Sequence, residues 1–284
     1  MRAVVAGVDL SAMGRRVAER ARMMAESADV PLHLLHVLEP VAEAMIEPSI
    51  ARLMREFQRE EAEKLADWVK ERAEVPVDLE VVKGSPSWEL TARGKSAGLV
   101  VVGSSSIDAF SVGPVAKRVA RKSNADTLVV RRQPRVPYRK IIAAVDFSEQ
   151  SRVAVDRGLS LFPDAEITAL YSMPSRFDAI LVEAGLFKEE LDASRETRLG
   201  LAEERMEEYA SAWDGSVRTL VVDGPPSQTI EEVVRRRGAD LVVVGSRGAS
   251  ATRMVLLGTV AEGLVTQAPC DVLVARSKAP FRRP

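Results

Sequence analysis

The chain repeats itself, and this internal duplication constrains the fold more than any other feature of the sequence. Residues 2–11 (RAVVAGVDLS) align with residues 139–148 (RKIIAAVDFS), and residues 125–131 (ADTLVVR) align with residues 270–276 (CDVLVAR). Matching segments in the same order and at nearly constant spacing indicate a tandem repeat of one structural unit. We therefore predict two domains, residues 1–132 and 139–284, joined by a short polar connector that contains prolines.

Each half alternates apolar, β-branched runs with amphipathic helical stretches. Strands that alternate with helices favour parallel sheets with right-handed crossovers and helices on both faces. The predicted fold class is therefore α/β, with two tandem doubly wound parallel five-stranded sheets. In the second half, the predicted strands are residues 141–145, 165–171, 217–222, 239–244 and 272–275, and helical patterns follow Ser148, cover residues 180–213 and 227–237, and resume after Gly258.

Length and composition are those of a globular protein. The 284 residues suffice for two domains, and the formal net charge is −1. This balance gives no global attraction to nucleic acid or to an anionic membrane, and no apolar run approaches membrane-spanning length. The single cysteine, Cys270, cannot form an internal disulfide, and the N-terminus lacks the pattern of a secretory signal. A cytoplasmic location is expected.

A glycine-containing segment of the second half indicates a phosphate site. The motif GSRG (residues 245–248) follows a buried-strand pattern, and GTVA (residues 258–261) stands where a helical pattern resumes. Glycine lets the backbone approach a ligand closely, and free N–H groups at a helix start attract anions. Such strand-to-helix crossings hold phosphates in α/β folds. A phosphorylated ligand is therefore predicted, with Arg247 and Arg253 within reach of its phosphates.

The first half carries the same segment in altered form. After a strand like the one before Gly245, Ser106 stands in place of Gly248 and Pro114 in place of Thr259. Serine adds a Cβ that disfavours positive φ, and proline removes a backbone N–H together with the threonine hydroxyl. Proline also begins helices well, which is an alternative reason for its presence. Either way, phosphate binding is predicted to be weaker in this half.

An aspartate ends the first predicted strand of each half, Asp9 in one and Asp146 in the other. A carboxylate at this end of a parallel sheet faces the ligand crevice, where it can accept hydrogen bonds from a base amine or a ribose hydroxyl. Alternatively, the aspartate caps the following helix, a role for which Ser11 and Ser148 are rival candidates. The sequence leaves both interpretations open.

The histidines and the cysteine favour structural roles. His33 and His36 lie in one strand pattern, without a third ligand at metal spacing. The second half contains no histidine that could activate Cys270 as a nucleophile. No metal-binding residue and no catalytic residue is predicted.

Taken together, these motifs resemble the universal stress protein family. The resemblance rests on residues 245–248 and 258–261, on VDFS (145–148) after the first strand, and on GPP (224–226) after the third, and it spans the chain as two copies. It implies an adenine nucleotide alpha hydrolase-like fold that binds ATP (or ADP or AMP), with Mg²⁺ as an optional companion ion. The implied cofactor-binding residues are Ala144, Asp146, Ser172, Val244, Gly245, Arg247, Gly248, Gly258, Thr259 and Val260.

The resemblance also implies roles and an assembly. Asp146 would hold the adenosine, and the glycine segment would lie along the ribose and phosphates. Ser172 takes the position beside adenine, where the first half has Val37. Family members commonly dimerise through their last strands. Here the strands ending at Val130 and Ala275 would meet across an internal pseudo-twofold axis, and two such chains could pair again as a homodimer.

The leading functional hypothesis is a nucleotide-responsive stress regulator that acts on an unidentified protein partner. No Walker lysine follows the glycines, and no group is evident that would orient an attacking water, so the chain is not predicted to be an enzyme. A slow ATPase or adenylyl-transferring enzyme is one alternative. A protein-interaction scaffold with a vestigial pocket is another.

Overall fold

The computed structural model describes residues 1–40, 47–104, 112–173, 188–246 and 257–277. The strands within these residues are β1 Ala3–Gly7, β2 Leu32–Leu38, β3 Val77–Lys83, β4 Gly98–Gly103, β5 Asp126–Val130, β6 Lys140–Val145, β7 Glu166–Met173, β8 Val217–Asp223, β9 Leu241–Gly245 and β10 Asp271–Ala275. The helices are α1 Ala12–Ser27, α2 Pro48–Lys70, α3 Pro86–Ala97, α4 Pro114–Lys122, α5 Glu149–Leu161, α6 Lys188–Ala210, α7 Pro226–Arg237 and α8 Thr259–Gln267.

The elements of the second half agree closely with the sequence-based predictions. The largest differences at strand ends are two residues: β7 continues to Met173, and β9 begins at Leu241 rather than at residue 239. The long predicted helix is α6, which is followed by a single 3-10 turn at Ser211–Trp213. The predicted start of that helix, at residue 180, lies outside the described residues.

The ten strands form one sheet, in the order β3-β2-β1-β4-β5-β10-β9-β6-β7-β8. Strands are parallel within each half. The halves meet through β5 and β10, which are antiparallel, with Val272 opposite Val129. The predicted α/β class is confirmed, and the two last strands pair inside the chain. Because they pair, neither last strand is an open edge of the sheet.

Helices cover both faces of this sheet. In β9, Leu241 and Val243 belong to one apolar core, and Val242 and Val244 belong to the other. Helices α1, α2, α5 and α6 contribute to the first core, and α3, α4, α7 and α8 contribute to the second. Burial of both faces explains why these strands are continuous apolar runs rather than alternating ones.

The strand order places a topological switch point in each half. In the second half the chain passes from β6 outward through β7 and β8, and then returns to form β9 on the other side of β6. Parallel α/β sheets bind ligands beyond the carboxyl ends of the strands at such a point. The crevice between β6 and β9 is therefore the position where the fold favours a ligand, and β1 and β4 define its counterpart.

A buried aspartate, Asp271, fixes the connector against the start of β10. Its Oδ1 accepts hydrogen bonds from the backbone N–H groups of Arg131 (2.7 Å) and Arg132 (3.0 Å), and its Oδ2 accepts one from the Tyr138 hydroxyl (2.6 Å). The Arg20 guanidinium, also buried, lies 3.9 Å from the centre of the Tyr138 ring and 3.8 Å from Asp271. Residues of both halves thus depend on this one carboxylate.

Asp126 has the equivalent position at the start of β5. Its carboxylate accepts a hydrogen bond from the backbone N–H of Arg276 at 2.8 Å and pairs with Arg157 at 2.7 Å. Arg276 follows β10, just as Arg131 follows β5. The seam therefore contains two related contacts, in each of which an aspartate of one half holds the residue that follows the other half's last strand.

Candidate functional site

The Asp146 carboxylate is oriented by the turn that leads into α5. Its Oδ1 accepts hydrogen bonds from the Ser148 backbone N–H (3.1 Å) and hydroxyl (2.5 Å). The Ser148 Oγ in turn accepts a bond from Ser151 N–H at 3.2 Å, so Ser148 is the helix cap. Asp9 and Ser11 repeat this arrangement in the first half. Of the two interpretations left open by the sequence, the structure assigns capping to the serines and places both aspartates at carboxyl ends of switch-point strands.

Phe147, between the aspartate and the capping serine, adopts a φ of +62°. A bulky residue in the left-handed region costs free energy and persists where its surroundings hold it. Its ring lies 4.5 Å from the Tyr171 ring and 5.6 Å from the Tyr209 ring, and the Arg205 guanidinium stacks over it at 4.2 Å. These contacts fix the turn that presents Asp146.

The aromatic contacts continue along α6 and were not predicted from the sequence. Tyr209 packs edge-on against Trp213, and Arg152 lies over both rings. The Tyr209 hydroxyl is 3.2 Å from the Ser151 Oγ, and burial raises the pKa of this tyrosine. The sequence does show that Phe147 stands where the first half has Leu10. The residues that contact its ring are distant in the chain, however, so no local pattern predicts the cluster.

Gly245, the last residue of β9, is buried beneath the first turn of α5. A Cβ at this position would lie 2.7 Å from the backbone oxygen of Gln150. Glycine is therefore required here by helix packing, in addition to any approach of a phosphate. At Gly103, the equivalent residue of β4, a Cβ would instead meet the flexible side chain of Met13 at 2.5 Å.

Ser246 ties together both ends of the glycine segment. Its N–H donates to the Ala275 carbonyl at 3.0 Å, and its own carbonyl accepts from Gly258 N–H at 3.0 Å. Ser246 is 1% exposed, and its buried Oγ has no hydrogen-bond partner among the described residues. The start of α8 is therefore held against the carboxyl end of β9, beside a buried hydroxyl that can still bond.

The start of α8 provides unshielded backbone donors. Gly258 is the N-cap residue and supplies no side-chain acceptor to the first turn. Thr259, the first helical residue, is exposed, and Val260 is half-buried against the core. The first N–H groups of a helix lack partners within the helix and attract anions. Glu262 in the same turn opposes such binding, but its carboxylate pairs with Arg121 of α4 at 2.5 Å.

The first half keeps this framework but changes the helix start. Gly113 N–H donates to the Ser104 carbonyl, as Gly258 does to Ser246, and the Ser104 Oγ is likewise buried without a partner among the described residues. Pro114 is the first residue of α4, where Thr259 stands in α8. The expectation that Pro114 begins a helix is confirmed. It also leaves this helix start with one donor fewer.

Ser172 uses its hydroxyl within the protein. The Oγ donates to the Gly224 carbonyl at 2.7 Å, and Gly224 N–H donates to the Met173 carbonyl at 2.9 Å. Gly224 has a φ of +143°, and a Cβ there would meet the Thr229 hydroxyl at 2.5 Å. Ser172 therefore anchors the turn after β8 to the end of β7, so its contribution to a base pocket would be through shape.

The remaining predicted site residues divide into two groups. Ala144 and Val244 are buried in the core below the crevice, on the neighbouring strands β6 and β9. Their side chains support its floor. Arg247 and Gly248 lie outside the described residues, as does Arg253, so their predicted contacts with phosphates stay predictions.

The histidines have local partners. His33 Nδ1 is 2.5 Å from Asp78, and His36 Nδ1 donates to the Val8 carbonyl at 2.9 Å. Within the described ranges, no three His, Cys, Asp or Glu side chains lie together as a metal site. Over the same ranges, no helix combines the length and apolarity needed to cross a bilayer.

We expect Cys270 to resist alkylation in the native protein. The side chain is fully buried, and burial raises the pKa of its thiol to about 12. Because the thiolate is the reactive form, labelling at about pH 8 should be slow until the chain is unfolded in guanidinium chloride. Mass spectrometry of iodoacetamide-treated samples measures this. Rapid modification of the folded protein would contradict the burial of Cys270.

Comparison with known proteins found relatives of this chain in one family. The universal stress protein family model matches the chain twice, over residues 1–131 and 137–276. A universal stress protein of Methanocaldococcus jannaschii is 30% identical over 144 residues, covering 49% of this chain and 82% of that protein. A putative universal stress protein of Staphylococcus epidermidis is 31% identical over 147 residues, covering 50% and 87%.

The fold of the whole chain also has a solved counterpart. A universal stress protein from Archaeoglobus fulgidus superposes with a TM-score of 0.68 at 18% identity, and the alignment covers 96% of this chain and 98% of that one. Its likeness extends over both repeats. Since the family model accounts for both halves and nearly all residues, the chain belongs to the universal stress protein family.

Proposed function

We propose that the second half binds an adenine nucleotide, with ATP as the expected ligand, beyond the switch point between β6 and β9. The observation that carries this proposal is the uncapped start of α8, which is held by the Gly258–Ser246 hydrogen bond at the carboxyl end of β9. The N–H groups of Thr259 and Val260 can donate to phosphate oxygens there. The buried Ser246 hydroxyl offers a further donor.

Asp146 supports assignment of the adenosine end of the ligand to β6. Ser148 holds one carboxylate oxygen from the side of α5, and β6 is hydrogen-bonded to β9. A carboxylate on one switch-point strand and amide donors beyond the other suit a ligand with hydroxyl or amine donors at one end and phosphates at the other. This is the chemistry of a nucleotide, with Gly258, Thr259 and Val260 as phosphate contacts.

We further propose that nucleotide occupancy regulates a partner interaction. The first turn of α8 contacts the first half, because Glu262 of α8 forms an ion pair with Arg121 of α4. A ligand that shifts or stabilises the α8 start therefore acts on a contact that crosses the seam. The first half, with Pro114 at its own helix start, would complete the core and transmit this change without binding a nucleotide itself.

Native mass spectrometry of the purified chain with added ATP tests the stoichiometry. We expect one nucleotide per chain, and saturation at a hundred times the dissociation constant should stabilise the fold by about 2.7 kcal/mol in thermal melts. Absence of bound nucleotide together with unchanged melting would refute the proposal, and two nucleotides per chain would refute the asymmetry. Phosphate release measured in the same samples distinguishes a regulator from a slow ATPase.

A further inference from the structure

A cavity of about 370 Å³ opens at the amino ends of β6, β7 and β8, at the opposite end of these strands from the Asp146 crevice. The side chains that line it include Lys140, Glu166, Thr168, Arg218 and Arg237. Its volume is within the range of small-molecule sites, which begins at about 300 Å³. None of these residues takes part in the proposed nucleotide site.

Three cations from three different elements meet at this cavity, against one carboxylate. Lys140 begins β6, Arg218 lies on β8, and Arg237 ends α7. Glu166 is already engaged by Arg218 at 2.6 Å. The Asp240 carboxylate accepts a hydrogen bond from the Lys140 backbone N–H at 3.2 Å, and among the described residues no carboxylate pairs with the Lys140 ammonium or the Arg237 guanidinium.

The helix dipole of α7 explains only part of the positive charge at the cavity. The last turn carries Arg235, Arg236 and Arg237, and basic residues balance the negative end of a helix dipole. Arg235 also pairs with Glu231. Lys140 and Arg218 come from strands, however, so the dipole of α7 gives no reason for them.

The first half shows that the fold itself does not require these charges. The sheet register places Ala3, His33 and Asp78 where the second half has Lys140, Thr168 and Arg218. There the His33 Nδ1 lies 2.5 Å from the Asp78 carboxylate, so the two side chains are hydrogen-bonded to each other. At these positions the second half thus has Lys140 in place of an alanine and Arg218 in place of an aspartate, which points to a role specific to the second half.

We propose that this cavity binds a small phosphate monoester of a polyol. A phosphoryl group carries close to two negative charges and three acceptor oxygens, which suits cations that converge from separate directions. The buried Thr168 lies on the cavity wall between β6 and β8 and can contribute a hydroxyl. Glu166, neutralised by Arg218, can accept hydrogen bonds from the ligand's hydroxyl groups. The site does not depend on the nucleotide proposal.

Residue-resolved NMR titration with glycerol 3-phosphate tests the assignment in the full chain. We expect amide shifts at residues 139–142, 166–168, 218 and 237–239, at lower concentration than for inorganic phosphate, and none with glycerol. Because shifts are read by residue, binding here is separated from binding at residues 258–260. Failure of the nucleotide site would therefore leave this result unaffected.

The Lys140→Gln/Arg237→Gln double variant is expected to weaken this binding about tenfold or more, since it removes two charge-assisted contacts. Arg236→Gln, in the same helical turn but outside the cavity lining, is the matched control and should bind as the unmodified chain does. Equal affinity of the double variant and the control would overturn the proposal. Succinate binding as tightly as glycerol 3-phosphate would overturn the phosphoryl assignment.

Discussion

Replacing Asp271 by alanine is expected to lower the free energy of unfolding by about 3–5 kcal/mol, because it removes one partner of a buried charged network. The substitution leaves the backbone N–H groups of Arg131 and Arg132 and the Tyr138 hydroxyl without their acceptor. It also leaves the buried Arg20 without its carboxylate. Urea denaturation measures the change.

Two variants sharpen this prediction. Burial raises the pKa of Asp271, so folding favours the protonated, neutral form of this side chain. The stability that this shift contributes is fully present below the unfolded-state pKa and is lost as the pH rises through the folded-state value. Asp271→Asn keeps an acceptor without a titratable charge and should cost less than alanine at neutral pH. Asp126→Ala, at the related contact, should also cost less because its partner Arg157 is partly exposed. An Asp271→Ala variant within about 1 kcal/mol of the parent chain would contradict the role of this network.

Transferring the proline of the first half into the second is expected to abolish most of the nucleotide affinity. Thr259→Pro removes one backbone donor and one hydroxyl at the α8 start while keeping a residue that helix starts accept. Loss of a hydrogen bond to a charged group costs about 1.5–3 kcal/mol, which is roughly a tenfold to hundredfold weaker association with ATP. Isothermal titration calorimetry measures the affinity.

The reciprocal variant is the control for this experiment. Pro114→Thr restores the donor to α4, but the altered segment around Ser106 remains, so ATP stoichiometry should stay at one per chain. Both variants should melt close to the parent chain without ligand, since proline occupies this helix position naturally at Pro114. Unchanged ATP affinity in Thr259→Pro would mean that the α8 start is not the phosphate site.

Local pattern was sufficient to predict most of the fold. The apolar run before Gly245 predicted β9 because a strand buried on both faces contains few polar residues. The pairing of β5 with β10 was predicted from the family resemblance alone. Local pattern could not predict it, because strand pairing depends on residues far apart in the chain. Ser148 was recognised as a candidate cap from its position before α5, and geometry was needed to separate its role from that of Asp146.

The sequence could not show contacts that join distant elements. Phe147 adopts a left-handed conformation held by Tyr171, Tyr209 and Arg205, which come from β7 and α6. Ser172 was predicted to lie beside the adenine base, but its hydroxyl donates a hydrogen bond to the Gly224 carbonyl, more than fifty positions away in the chain. Gly245 was predicted to be a glycine so that a phosphate can approach the backbone. The close contact with the Gln150 backbone is a second reason why no larger residue fits there.

Because β5 and β10 are antiparallel, the sheet has two margins, one at each end of its strands, and different features of the two halves lie along them. Every strand of the first half points opposite to every strand of the second, so the carboxyl ends of one half share a long margin with the amino ends of the other. The start of α8 therefore borders the amino ends of the first-half strands. The Lys140 cavity lies on the same margin as the carboxyl ends of β4 and β5, with β9 and β10 between them. A protein that approaches along a single margin would meet one of these two features, and the length of the strands would separate it from the other.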